Sequence, residues 1–308
     1  MNEDSGTPAG GPFFPRAPMP TITSSNTSPE AEIFYQDTGG DGPAVVLIHG
    51  WPLSGRMWEP QVGPLKEAGY RVVTYDRRGF GHSAFPNGGY DYDTLAADLK
   101  ALLDELDLRD VTLVGFSMGG GEVARYIGTY GTDRVSKAVL VSAVTPYMLK
   151  TDDNPTGVDK SVFTDMIQNL KQDRPAFLRG FGKKFVGWGL LDHPVSQEML
   201  DYAWSIAVMA QPQATIECVT AFGMTDFRDD VRKMTVPTLV VHGASDDIVP
   251  LEAGGQAADA LLPDSQLVVI DGAPHGLTMT HPEGFNRLLL DFLKDGTHRA
   301  PMPPGATM

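Results

Sequence analysis

Short apolar runs rich in β-branched residues recur between amphipathic stretches, at 45–48, 71–75, 111–115, 137–141, 238–242 and 266–270. Such runs predict strands buried on both faces, and their alternation with helical segments predicts a largely parallel sheet with helices on both sides. The stretch 92–106 shows the helical half of the pattern: Leu95, Leu99, Leu102, Leu103 and Leu106 fall at three- and four-residue spacings and make one apolar face. From about 146 to 225 the alternation stops, and Phe163, Met166, Phe177, Phe181, Phe185 and Trp188 spread through helix-like segments. We expect an α/β core of 31–145 and 226–295, with 146–225 inserted in it as a helical cap. Residues 1–30 are rich in Pro, Gly, Ser and Thr and bury too little to offset ordering entropy, so they predict a flexible extension, and 296–308 a similar tail.

Composition narrows the class of protein. At 308 residues one α/β domain with an insertion suffices. Acidic residues number 39 against 24 basic ones, a formal charge of −15 that repels nucleic acid and anionic membrane surfaces and suits neutral esters better than diacids. The single cysteine, Cys218, requires no oxidising compartment and reads as a small buried apolar residue. No apolar run is long enough to span a membrane and the first 30 residues lack a secretory pattern, so the expected location is cytoplasmic.

The chemistry begins where 111–115 runs into Gly115-Phe-Ser-Met-Gly119, followed by the helix-like Gly120-Gly-Glu-Val-Ala-Arg-Tyr126. A G-x-S-x-G segment between strand and helix is a nucleophile elbow, which holds the serine on a strained tight turn while the glycines avoid clashes. Ser117 is the candidate nucleophile. Open parallel sheets bind ligands at the carboxyl edge of their strands, and two further loops lie there. In His242-Gly-Ala-Ser-Asp-Asp-Ile-Val-Pro250 the candidate acid is Asp246, with adjacent Asp247 as the alternative. In Asp271-Gly-Ala-Pro-His-Gly276 the candidate base is His275, and the order Ser, Asp, His is that of this kind of triad. His49, His82 and His242 sit beside glycines near strand ends or turns and read as structural hydrogen-bonding groups. The imidazole would take the serine proton and return it to the leaving group, while the carboxylate fixes the tautomer. Backbone N–H groups of Trp51 and Met118 are the expected oxyanion hole, and their side chains are candidates to wall the pocket.

The segments His49-Gly-Trp-Pro-Leu-Ser-Gly-Arg-Met-Trp58, Tyr75-Asp-Arg-Arg-Gly-Phe-Gly-His-Ser83, Gly115-Phe-Ser-Met-Gly-Gly-Gly-Glu-Val-Ala-Arg125, His242 to Pro250 and Gly272-Ala-Pro-His-Gly276 carry a family likeness. Together they resemble the cofactor-free bacterial haloperoxidase (non-heme chloroperoxidase) and arylesterase branch of the α/β-hydrolase fold, over about 30–295. The resemblance implies esterase activity on small carboxylic esters and perhydrolysis, in which hydrogen peroxide replaces water and a peracid leaves to oxidise halide. It also implies no metal or heme, and relatives form homo-oligomers. Pro52, after the oxyanion-hole residue, looks like the perhydrolase variant of that loop and is a candidate to border the substrate pocket. Proline fixes its own φ and disfavours helical geometry at Trp51, so it constrains the loop in any case. The first 30 residues depart from the family core.

Aspartate at the elbow would mark a haloalkane dehalogenase or an epoxide hydrolase, and Ser117 argues against both. Serine triads also serve lactonases, amidases, carbon–carbon hydrolases and lyases, and the fold has been adapted to non-catalytic hormone receptors. The joint presence of nucleophile, base, acid and hole loop favours turnover over a receptor.

Overall fold

The computed structural model describes residues 19–296 and the backbone of 306–307. Its strands are β1 (Thr21–Ser24), β2 (Ala31–Asp37), β3 (Ala44–Ile48), β4 (Arg71–Tyr75), β5 (Val111–Phe116), β6 (Val135–Val141), β7 (Thr238–Gly243), β8 (Ser265–Ile270) and β9 (Ala306–Thr307). They form one sheet in the order β1-β2-β4-β3-β5-β6-β7-β8-β9. The six strands from β4 across to β8 pair in parallel, and the three outer ones pair antiparallel. Every residue of β3, β5 and β7 is buried, the pattern of a sheet covered on both faces.

Helices α1 (Glu59–Glu67), α2 (Tyr92–Glu105) and α3 (Met118–Tyr130) connect the first parallel strands. In α2 the predicted leucine stripe is buried at Leu95, Leu99, Leu102 and Leu103, and the Asp91 carboxylate caps the Thr94 amide at 2.9 Å. Between β6 and β7 lie α4 (Lys160–Phe185), α5 (Gln197–Val208), α6 (Pro212–Met224) and the short α7 (Arg228–Arg232). Helix α4 is broken at Asp173, whose φ of −153° and ψ of 82° leave the helical region. Pro175 cannot continue the first half, and the Asp173 carboxylate accepts the Ala176 amide as the cap of the second. The chain closes with α8 (Gly255–Asp259), α9 (Leu277–Thr280) and α10 (Pro282–Asp295).

The expected flexible extension is corrected from residue 19 onward. Thr21–Ser24 pair with β2, burying Ile22 and Ser24, and the alternation that drives this is only four residues long amid turn-forming neighbours. Residues 25–30 are then held by Arg78, which donates to the Pro29 carbonyl at 2.9 Å and the Thr27 hydroxyl at 2.7 Å. In the expected tail, 306–307 add an antiparallel strand to β8. The rest of both expectations, 1–18, 297–305 and 308, lies outside the described residues.

Arg78 is itself buried and paired by two 2.6 Å bonds with Asp98 of α2. Removing one partner of a buried pair leaves an uncompensated charge. Asp98→Ala is therefore expected to cost about 3–5 kcal/mol of unfolding free energy in urea titrations, and a cost under about 1 kcal/mol would contradict this account.

Candidate active site

Ser117 lies between β5 and α3 with φ 53° and ψ −116°, a region that a side-chain-bearing residue adopts only under constraint. Its amide donates to the Val141 carbonyl at 2.8 Å, and its carbonyl accepts from Gly120 at 3.0 Å and Val144 at 3.2 Å. Crowding explains the glycines around it. A Cβ on Gly119 would stand 2.4 Å from the Ile48 carbonyl oxygen, and one on Gly50 would stand 2.5 Å from the Phe116 ring. These two positions let the turn and the loop after β3 approach one another.

His275 comes from the loop between β8 and α9, and its Nε2 lies 2.9 Å from Ser117 Oγ. Its Nδ1 lies 2.7 Å from Asp246 Oδ2. Asp246 Oδ1 accepts the amides of Ile248 and Val249, both at 2.9 Å, so each carboxylate oxygen has a separate task. Ser117 and Asp246 are 6% exposed and His275 1%, so bulk water screens this chain of groups little. Of the two sequence candidates for the acid, Asp246 makes the contact with His275, while Asp247 is exposed and borders a wider opening. Burial by itself would raise the Asp246 pKa. The neighbouring His275 and the hydrogen bonds from His242 and His275 outweigh it and hold the carboxyl well below its usual range.

Sequence reasoning treated His242 only as a structural group. Its Nε2 donates to the Val249 carbonyl at 2.9 Å and lies 3.4 Å from Asp246 Oδ2, so its structural bond also backs the acid. The spacing of four residues from Asp246, on the same strand end, was the available signal. The rings of Phe116 and Phe185 flank His275, with centroids 5.1 and 5.3 Å from the imidazole.

Trp51, expected to supply one oxyanion donor, lies in the turn after β3, and Met118, expected to supply the other, is the first residue of α3. The first N–H groups of a helix have no partner within it, so that of Met118 is available at the positive end of the helix dipole. The Trp51 indole donates to the Thr215 carbonyl at 3.1 Å, which anchors it to α6.

Above Ser117 lies a cavity of about 40 Å³ bordered by Trp51, Met148, Phe163, Phe181 and Phe222 among others. By that measure a water needs about 10–15 Å³, so the space suits a group of a few heavy atoms. A wider opening of about 530 Å³ adjoins it, sharing Val158, Val162, Met166, Phe181 and Ile248. Met118 does not line this cavity, and Pro52 borders a neighbouring one of about 30 Å³ behind Phe181 and Phe185. Pro52 therefore bears on the loop rather than on the space above Ser117. Among the described residues no group of three or more His, Cys, Asp or Glu side chains is placed to hold a metal ion, and no helix is long and apolar enough to cross a membrane.

Known proteins share this arrangement of the chain. The alpha/beta hydrolase fold family matches residues 43–282. A non-heme chloroperoxidase of Kitasatospora aureofaciens is 45% identical over 277 residues, which cover 89% of this chain and 99% of the relative. A bifunctional esterase/perhydrolase of Acinetobacter calcoaceticus is 38% identical, covering 87% and 98%. The crystal structure of bromoperoxidase from Bacillus anthracis superposes with a TM-score of 0.86 at 50% identity, covering 90% of this chain and all of that one. The chain belongs to the α/β-hydrolase fold family, in its non-heme haloperoxidase branch.

The lowered pKa of Asp246 makes stability depend on pH in a stated sense. A carboxyl held below its usual value of 3.8 stabilises the fold above that value, and the contribution is lost as pH falls through the lowered folded-state pKa. Asp246→Asn removes this dependence. Denaturant titrations from about pH 6 down to about pH 3 are expected to show the gap between wild type and variant narrowing, and a constant gap would refute it.

Proposed function

We propose that the chain is a serine esterase acting on short-chain carboxylic and aryl esters, with perhydrolase activity that makes peracids from an ester or carboxylate and hydrogen peroxide. The observation that carries this is the continuous contact from Ser117 Oγ through the His275 imidazole to Asp246, at the floor of an apolar cavity. Ser117 Oγ attacks the carbonyl carbon as His275 Nε2 takes its proton, and ionised Asp246 stabilises the imidazolium. The Trp51 and Met118 N–H groups hold the oxyanion, which matters most where charge develops away from water. His275 then protonates the departing alcohol or phenol, leaving an acyl ester on Ser117. Water or hydrogen peroxide attacks that ester with His275 again as base, releasing acid or peracid and restoring the serine. Peracid carries the oxidising equivalents of the peroxide and oxidises halide in solution.

The relatives' names support this reading of the site, and Pro52 belongs to it as a constraint on the loop that carries Trp51. Residues 146–225 serve as a cap: Phe163, Phe181 and Phe222 close the acyl space, which is why short acyl groups are favoured.

Hydrolysis of p-nitrophenyl acetate is the direct test. Ser117→Ala and His275→Ala are each expected to lower kcat by more than about 10³-fold, and turnover surviving either change would remove the assignment. Wild type supplied with acetate and peroxide is expected to form peracetic acid; hydrolysis without peracid would leave the esterase and remove the perhydrolase. Phe163→Ala opens the acyl space, so the kcat/KM ratio of hexanoate to acetate ester is expected to rise by about 10-fold, and an unchanged ratio would place the acyl group elsewhere.

A further inference from the structure

Beneath the loop that carries Trp51 lies a buried polar cluster that proton transfer does not use. Arg77 and Glu122 are 1% and 0% exposed and form an ion pair, with Arg77 Nε donating to Glu122 Oε1 at 2.6 Å. Tyr75 donates its hydroxyl to Glu122 Oε2 at 2.6 Å. Buried pairs of this kind are weak evidence of stabilisation, since apolar replacements often do as well. Their position is the informative part.

One end of the pair belongs to α3, where Glu122 lies one turn after Met118. The other end grips the hole loop: Arg77 Nη2 donates to the His49 carbonyl at 2.7 Å, and the Arg77 amide donates to His49 Nε2 at 2.9 Å. An amide N–H can only donate, so Nε2 accepts and the imidazole proton sits on Nδ1. Nδ1 in turn donates to the Gly50 carbonyl at 2.9 Å. Burial first, and the Arg77 charge second, hold the imidazole well below its usual pKa and so keep it neutral. The Gly50 carbonyl and the Trp51 N–H are two sides of one planar peptide, so fixing the first fixes the direction of the second.

We propose that His49, seated by the Arg77–Glu122 pair, is a positioning residue of the oxyanion hole, holding the Gly50–Trp51 peptide at a set distance and angle from the first turn of α3. It rests on the esterase reading above. The cluster then links the two oxyanion donors, one on each side, through side chains that never meet the substrate.

The test compares His49→Leu with His49→Asn, whose amide N–H can replace the Nδ1 donor. With p-nitrophenyl acetate, His49→Leu is expected to lower kcat by about 10²–10³-fold, the effect of losing one oxyanion donor, with KM within about threefold. His49→Asn is expected to recover at least about 10-fold of that loss. A folded His49→Leu with kcat within about threefold of wild type, or an Asn variant no better than Leu, would overturn the proposal. Should His49→Leu fail to fold, Glu122→Gln decides, because it keeps the shape and removes the charge. A fall in kcat of about 10-fold at unchanged KM supports the brace, and an unchanged kcat overturns it. Wild type without Ser117-dependent turnover would remove the esterase reading and this proposal with it, whereas an active wild type beside an unimpaired variant removes this proposal alone.

Discussion

Two adjacent parallel strands, β3 and β5, run in register with Ile48, the last residue of β3, opposite Gly115, one residue before the end of β5. The segments that leave them must therefore share one small space, the loop His49-Gly50-Trp51 on one side and the turn Phe116-Ser117-Met118 on the other. A side chain at Gly50 or Gly119 would push the two apart, as the short distances to Phe116 and to the Ile48 carbonyl make plain. That closeness brings the loop carrying Trp51 and the turn carrying Ser117 and Met118 side by side at the edge of the sheet. The other parts of the site are arranged around it: β7 brings Asp246 and β8 brings the loop of His275, each from a strand further along the same edge.

Charges are handled differently on the two sides of this contact. Asp246 is surrounded by donors, with two amides on one oxygen and imidazoles on the other, so its negative charge is solvated by the protein in place of water. Arg77 and Glu122 neutralise one another where both side chains are buried. Both arrangements fix orientation in a low-dielectric interior, where a misdirected dipole costs most.

Much of this was legible in the chain because it is written locally. Strand runs, the elbow glycines and the loops holding Asp246 and His275 each occupy under ten consecutive residues, and their order along the chain follows from the sheet. The pairing of Thr21–Ser24 with β2 was hidden, because four alternating residues among prolines and serines look like the rest of a polar extension. The choice between Asp246 and Asp247 needed burial and direction, which adjacent identical residues cannot reveal. Pro52 was expected near the substrate, and only packing of α4 and α5 shows that it borders the space behind Phe181. The contacts of His49 with Arg77, and of Arg77 with Glu122, join residues 28 and 45 positions apart, beyond any local pattern.

The break in α4 at Asp173 divides one long helix into two arms, and both contribute walls: Val162, Phe163 and Met166 from the first, Phe177 and Phe181 from the second. Every one of these residues comes from the stretch between β6 and β7, and the serine, histidine and aspartate come from outside it. The three contacting side chains and much of the wall around them thus lie on separate portions of the chain, with Trp51 and Ile248 completing the wall from the core. Substitutions in the stretch between β6 and β7 can therefore reshape much of the space without touching Ser117, His275 or Asp246.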